Sequence, residues 1–208
     1  INSSIKSGYI KSKHRMTYSN VNKIFEGNEA LIKKYSDIYP MLLNMKDLSL
    51  LLRGIREERG GLDFDIKEMK IIVDEKGTPI NVESRERGLS EMMIEDFMLA
   101  ANEAVAETLF HLKYPCCYRV HEEPNKERLA NVNNILKAIG EEIKNIDKGV
   151  KPKQLQRLMN NIRGTAAEDS VNTLLLRAMA KARYDSMPLG HYGLAAQYYC
   201  HFTSPIRR

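Results

Sequence analysis

Two adjacent arginines, Arg207 and Arg208, follow Thr203, Ser204, Pro205 and Ile206. A hydroxyl residue just before a proline is a helix start signal. The hydroxyl of Thr203 or Ser204 can cap free backbone N–H groups, and Pro205 fits the first helical position. A helix start attracts anions, and both arginines fall in its first turn. Two guanidinium forks held there form a phosphate clamp. A small-residue turn at His191–Leu194 and an aromatic cluster at Tyr198, Tyr199 and Phe202 lead into this segment. Far upstream, Tyr18 sits at a second helix start, just after His14 and Arg15. By itself, a single phenol ring there reads as packing. The two basic residues suit either phosphate contact or a solvated stretch.

Weaker constellations surround these. Asp63 and Asp65 share a face if the segment is a strand, which is a possible Mg²⁺ arrangement, but a linear pair does not make carboxylates converge. The bland reading is a solvated strand face, and no residue is assigned as a metal ligand. Glu95, Asn102 and Glu103 fall on one helical face, opposite the apolar stripe. They are placed as a polar stripe that could reach ribose hydroxyls. His121 and His191 are lone histidines, better read as local hydrogen-bonding groups. Ser204 with His201 or His191 lacks the flanks of a nucleophile elbow and reads as a cap.

Composition narrows the classes. The 208 residues carry 32 Lys+Arg against 27 Asp+Glu, a net charge of +5, which weakly favours an anionic partner. A 43% hydrophobic fraction supports a real core. No apolar run approaches membrane-spanning length. Cys116, Cys117 and Cys200 have no metal spacing and read as reduced thiols of a cytoplasmic protein.

The elements must place these groups. An extended start is expected, with Ile5, Tyr9 and Ile10 buried. Thr17 caps a short helix that Gly27 closes, with Met16 and Val21 as a hydrophobic staple. Residues 28–59 have helical spacing, with Pro40 as a kink or break. Leu62, Phe64 and Ile66 alternate as in a strand, and residues 71–82 read as a hairpin. Ser90 is expected to cap the next helix, which Pro115 ends, and a short strand follows over 116–121. Three further helical stripes run over 125–139, 152–163 and 171–179. One α+β, helix-rich unit without repeats or linkers is expected over residues 1–208, with no second domain.

Several of these blocks resemble the ribonuclease II/ribonuclease R family of processive 3′-to-5′ exoribonucleases. They are His14-Arg-Met-Thr-Tyr18, Gly61-Leu-Asp-Phe-Asp65, Met93-Ile-Glu-Asp-Phe-Met-Leu-Ala-Ala-Asn-Glu103, Tyr118-Arg-Val-His-Glu-Glu-Pro124 and the final segment to Arg208. They stand in the family's order, and the Tyr118 block is closer to ribonuclease R. The resemblance implies a partial catalytic domain of the family's fold that acts on single-stranded RNA without an obligate protein partner. It implies that Tyr18 stacks on the 3′-terminal base, that Arg207 stabilises charge on the scissile phosphate, and that Arg208 holds the backbone. It also implies Mg²⁺ held by an aspartate cluster upstream of Ile1. The chain begins on Ile1 without an initiator Met and is read as a piece of a longer protein. Alone it is expected to bind no metal and to be inactive. The alternative is a non-catalytic RNA-binding protein on the same fold, which would lack that cluster at full length.

Overall fold

The computed structural model describes residues 3–64, 68–85 and 87–203. Helix α1 spans Tyr18–Phe25, α2 Glu29–Lys34 and α3 Tyr39–Arg59. Strands β1 (Glu68–Val73) and β2 (Pro79–Arg85) follow, then α4 (Leu89–His111). Strand β3 (Tyr118–Val120) precedes α5 (Lys126–Ala138), α6 (Pro152–Ile162), α7 (Glu168–Ala178) and β4 (Arg183–Asp185). This is a helix-rich α+β fold, as the pattern implies. The chain forms two compact units, Gly8–Leu51 with Asp65–Asp96, and Ile1–Ser7 with Leu52–Phe64 and Phe97–Arg208.

In the first unit, Val21, Ile24, Tyr35 and Leu42 make a small core, and Met16 packs against it. Thr17 caps α1 through the N–H of Asn20. The helical run breaks between α2 and α3, and Pro40 lies in the first turn of α3, where its missing N–H costs nothing. β1 and β2 pair antiparallel, with Ile71 opposite Val82.

The core of the second unit is formed by α5, α6 and α7. Leu136, Leu155 and Leu175 are fully buried there. Helix α6 presents Leu155, Leu158, Met159 and Ile162 at helical spacing. Truncating one such leucine to alanine costs about 2–5 kcal/mol. A satellite cluster of Val105, Ala106, Tyr118, Val120 and Cys200 ties α4 to β3 and to the segment after residue 198. β3 pairs antiparallel with β4, a short strand that periodicity does not reveal. The three cysteines are free thiols.

Several expectations are corrected. Ile5, Tyr9 and Ile10 are exposed, because the extended start gives them little to pack against. Residues 62–64 are not a strand. Leu62 and Phe64 instead lean on the helical core, so their alternation marks one apolar side of a coil. Ser90 lies inside the first turn of α4 and its hydroxyl is committed elsewhere.

Candidate nucleic-acid interface

Tyr18 opens α1, and its backbone is held from two sides. Its carbonyl accepts the Ser90 hydroxyl at 3.2 Å. Asn22, one turn along, accepts the Ser90 N–H at 2.9 Å and donates to Glu91 Oε2 at 2.9 Å. The Ser90 hydroxyl is also 3.0 Å from that carboxylate oxygen. A Cβ at position 88 would run into the Asn22 amide, so Gly88 is what lets α1 and the start of α4 come this close. Tyr18 itself, by contrast, is 44% exposed.

The neighbouring basic residues differ. His14 Nε2 lies 2.9 Å from Asp37 Oδ2, and its ring stands edge-on to Tyr35 at 5.5 Å. The His14 hydrogen bond holds the Asp37 carboxyl below its ordinary pKa. One imidazole nitrogen is therefore committed, whereas Arg15 is exposed.

In the other unit, the segment leading to the arginine pair is anchored on α4. Asn102 is 1% exposed. Its amide donates to the Tyr199 hydroxyl at 3.1 Å. Its Oδ1 accepts both the N–H of Thr203 at 2.8 Å and the Thr203 hydroxyl at 3.0 Å. The Cys200 thiol reaches the Asn102 carbonyl at 3.6 Å. One buried amide thus fixes Tyr199 and Thr203 at once. Ser204, Pro205, Ile206, Arg207 and Arg208 lie outside the described residues, as does Asp65.

The expected polar stripe on α4 therefore does not exist as one solvent face. Asn102 is buried because a chain segment far ahead in sequence packs over it, which helical periodicity cannot show. Glu103 is chelated by Arg59, at 2.7 and 2.8 Å, and Arg59 also donates to the Leu194 carbonyl at 3.3 Å. This bidentate pair raises the Arg59 pKa. Glu95 pairs with Arg87 at 3.1 Å on the surface. Arg59 escapes a sequence reading, since its partner lies far along the chain.

The histidines serve the backbone. His121 Nδ1 accepts the N–H of Gly193 at 3.0 Å, and His191 Nδ1 accepts that of Leu194 at 3.3 Å. Burial lowers both pKa values, that of His191 to about 4, with neighbouring His121 adding to the effect. His201 Nδ1 lies 2.7 Å from the Tyr184 hydroxyl. Arg119 stacks 4.8 Å from the centre of the Tyr184 ring.

Among the described residues, no three His, Cys, Asp or Glu side chains converge as a metal site. No described helix is long and apolar enough to cross a membrane.

The RNB domain family matches residues 1–208, and the chain belongs to that family. It is 44% identical over 208 residues to ribonuclease R 1 of Lactococcus lactis, covering 100% of this chain and 26% of that protein. The solved structure of Mycoplasma genitalium RNase R in complex with ribose-methylated single-stranded RNA superposes with a TM-score of 0.83. That match is 32% identical and covers 95% of this chain and 31% of the other. The same enzyme with double-stranded RNA gives a TM-score of 0.82 at 32% identity, over 95% of this chain and 35% of that one. The chain spans about a quarter of the length of the curated relatives it matches.

Proposed function

We propose that this chain is the RNA-gripping part of a processive 3′-to-5′ exoribonuclease that hydrolyses single-stranded RNA to nucleoside 5′-monophosphates. The observation that carries the reading is the family match along the whole chain, with ribonuclease R among the relatives. The binding of single-stranded RNA by a structural relative supports RNA as the partner. In this reading Tyr18 stacks on the 3′-terminal base, a contact that reads no base identity and suits a sequence-tolerant enzyme. Its exposure on a fixed backbone favours that role. Arg15 and the uncommitted side of His14 track phosphates. Arg208 holds the backbone, and Arg207 meets charge that builds on the scissile phosphate. Asn102 acts through these groups by holding Thr203, the residue from which the arginine segment departs.

Mg²⁺ dependence, a cytoplasmic setting and independence from protein partners belong to the same reading. They rest on the family resemblance and the free thiols. The described residues provide no metal centre of their own.

The test is kinetic. A donor aimed at charge that develops only during attack affects rate, whereas a backbone contact affects ground-state binding. In the intact protein, Arg207→Ala should slow single-turnover cleavage by about 3–4 kcal/mol of barrier while filter binding stays nearly unchanged. Arg207→Lys keeps the charge but not the fork and should rescue only in part. Arg208→Ala should mainly weaken binding and its salt dependence. If Arg207→Ala mainly weakens affinity while leaving the chemical step intact, the assigned role is wrong.

A further inference from the structure

A groove of about 940 Å³ opens in the unit built on α5, α6 and α7. Val132 and Ile135 of α5 and Leu174 and Leu176 of α7 supply apolar wall, with Phe64 alongside. Cavities of this size and character hold small organic ligands. The lip carries Arg128, Arg177 and Lys181, all exposed, and among the described residues no Asp or Glu lines the groove. Arg128 and Arg177 are in contact, because the Arg128 guanidinium donates to the Arg177 carbonyl at 3.1 Å. Lys181 follows a short way along the chain. None of the three has a carboxylate partner among the described residues. Cations gathered beside apolar walls, without counter-charges, attract anions more strongly than cations in open water.

The wall beside Ala180, the neighbour of Lys181, is braced by histidines. His121 and His191 both line the groove, with ring centroids 5.1 Å apart. Each spends its Nδ1 on a backbone N–H of the Gly193–Leu194 turn. A Cβ at position 193 would lie 3.0 Å from His121 Nδ1, so the turn and the imidazole can meet only because that residue is glycine. Both rings are neutral at ordinary pH and offer flat faces. The described lining thus carries its charge on Arg128, Arg177 and Lys181 and is otherwise neutral, which matches a ligand with an anionic head and a flat, weakly polar body. A long nucleic-acid strand would call for cations along the whole groove.

We propose that this groove binds a nucleoside 5′-monophosphate, with the base against the apolar walls and the phosphate on the Arg128–Arg177–Lys181 lip. The proposal rests on the preceding reading only for the source of the ligand, since such nucleotides are the products of that reaction.

The probe is AMP, measured by equilibrium dialysis on the intact protein in EDTA, with adenosine and inorganic phosphate as half-ligands. The structure leads to a saturable AMP site that outbinds either half. In Arg177→Glu/Lys181→Glu, binding should weaken by about a hundredfold, since two charge-assisted contacts are lost. Melting of the double variant confirms its fold, and Arg177→Gln/Lys181→Gln replaces it if the fold fails. Lys33→Glu/Lys34→Glu, a charge-matched change on the exposed face of α2, should bind AMP as the wild type does. Equal AMP binding by wild type and groove charge variants overturns the proposal. So do an equal loss of binding in Lys33→Glu/Lys34→Glu and absence of saturation at millimolar AMP. RNA degradation is followed in parallel. If no variant or wild-type protein degrades RNA, but AMP binding still depends on the lip, the exoribonuclease reading falls and the groove stands. If degradation is normal and AMP binding ignores the lip, the groove falls and the exoribonuclease reading stands.

Discussion

Replacing Asn102 with alanine separates positioning from mere stability. The side chain makes three hydrogen bonds, to the Tyr199 hydroxyl and to the N–H and hydroxyl of Thr203. Each is worth about 0.5–1.5 kcal/mol net. Tyr199 is buried, so water does not replace the hydrogen bond it makes to Asn102, whereas Thr203 is only half-buried and can be rehydrated in part. Asn102→Ala should therefore destabilise the fold by about 2–4 kcal/mol in equilibrium urea unfolding. The second consequence is geometric. Without Asn102, nothing described holds Thr203 by side-chain hydrogen bonds, and the arginine segment starts from a looser base. A misplacement of about 1 Å at a reacting centre can cost a hundredfold in rate. The single-turnover rate should thus fall by that order while RNA affinity changes little, measured at a temperature where the variant is folded. Asn133 is the control. It is also buried and bonds both the N–H and the carbonyl of Ile143, at 2.7 and 3.2 Å. Asn133→Ala should cost similar stability and leave the rate alone. Equal rates for wild type and folded Asn102→Ala, or equal slowing in both variants, would refute the positioning argument.

Two further outcomes follow from the same structure. Tyr18→Ala should weaken binding of short oligonucleotides by about 1–3 kcal/mol, one stacking contact, and change long-RNA affinity little; normal end products on sequencing gels would return Tyr18 to a packing role. Burial holds the His191 pKa at about 4 against the ordinary 6.5, so protons bind the unfolded chain more readily. Stability should be full above about pH 6.5 and fall by up to about 3 kcal/mol as pH drops toward 4. His191→Asn keeps an acceptor for Leu194 and should flatten that slope in melting curves, and an unchanged slope would assign the titration elsewhere.

What could be read from the sequence divides along a physical line. Signals carried by near neighbours survive folding. Thr17 caps α1, and Gly27 closes it. The stripes of α5, α6 and α7 meet as one core. These rules act within a turn or two of helix, where spacing determines which atoms meet. The sequence reading fails where the partner is distant. Ser90 looks like a cap, yet its hydroxyl goes to Tyr18 and its N–H to Asn22. Glu103 looks solvent-facing, yet Arg59 chelates it.

Asn102 carries the same lesson to the candidate site. On a helical wheel it belongs with Glu95 and Glu103, and all three should face water. A buried amide is tolerated only where its donors and acceptors are met. Here Tyr199 and Thr203 meet them, almost a hundred residues further on. Those partners come from the very segment whose composition first suggested a phosphate clamp. A buried polar residue whose side chain bonds one distant segment does more than fill space, because an apolar residue there would leave Thr203 free to shift. The burial of Asn102 therefore ties the helix α4 block to Thr203, across a sequence separation of 101 residues.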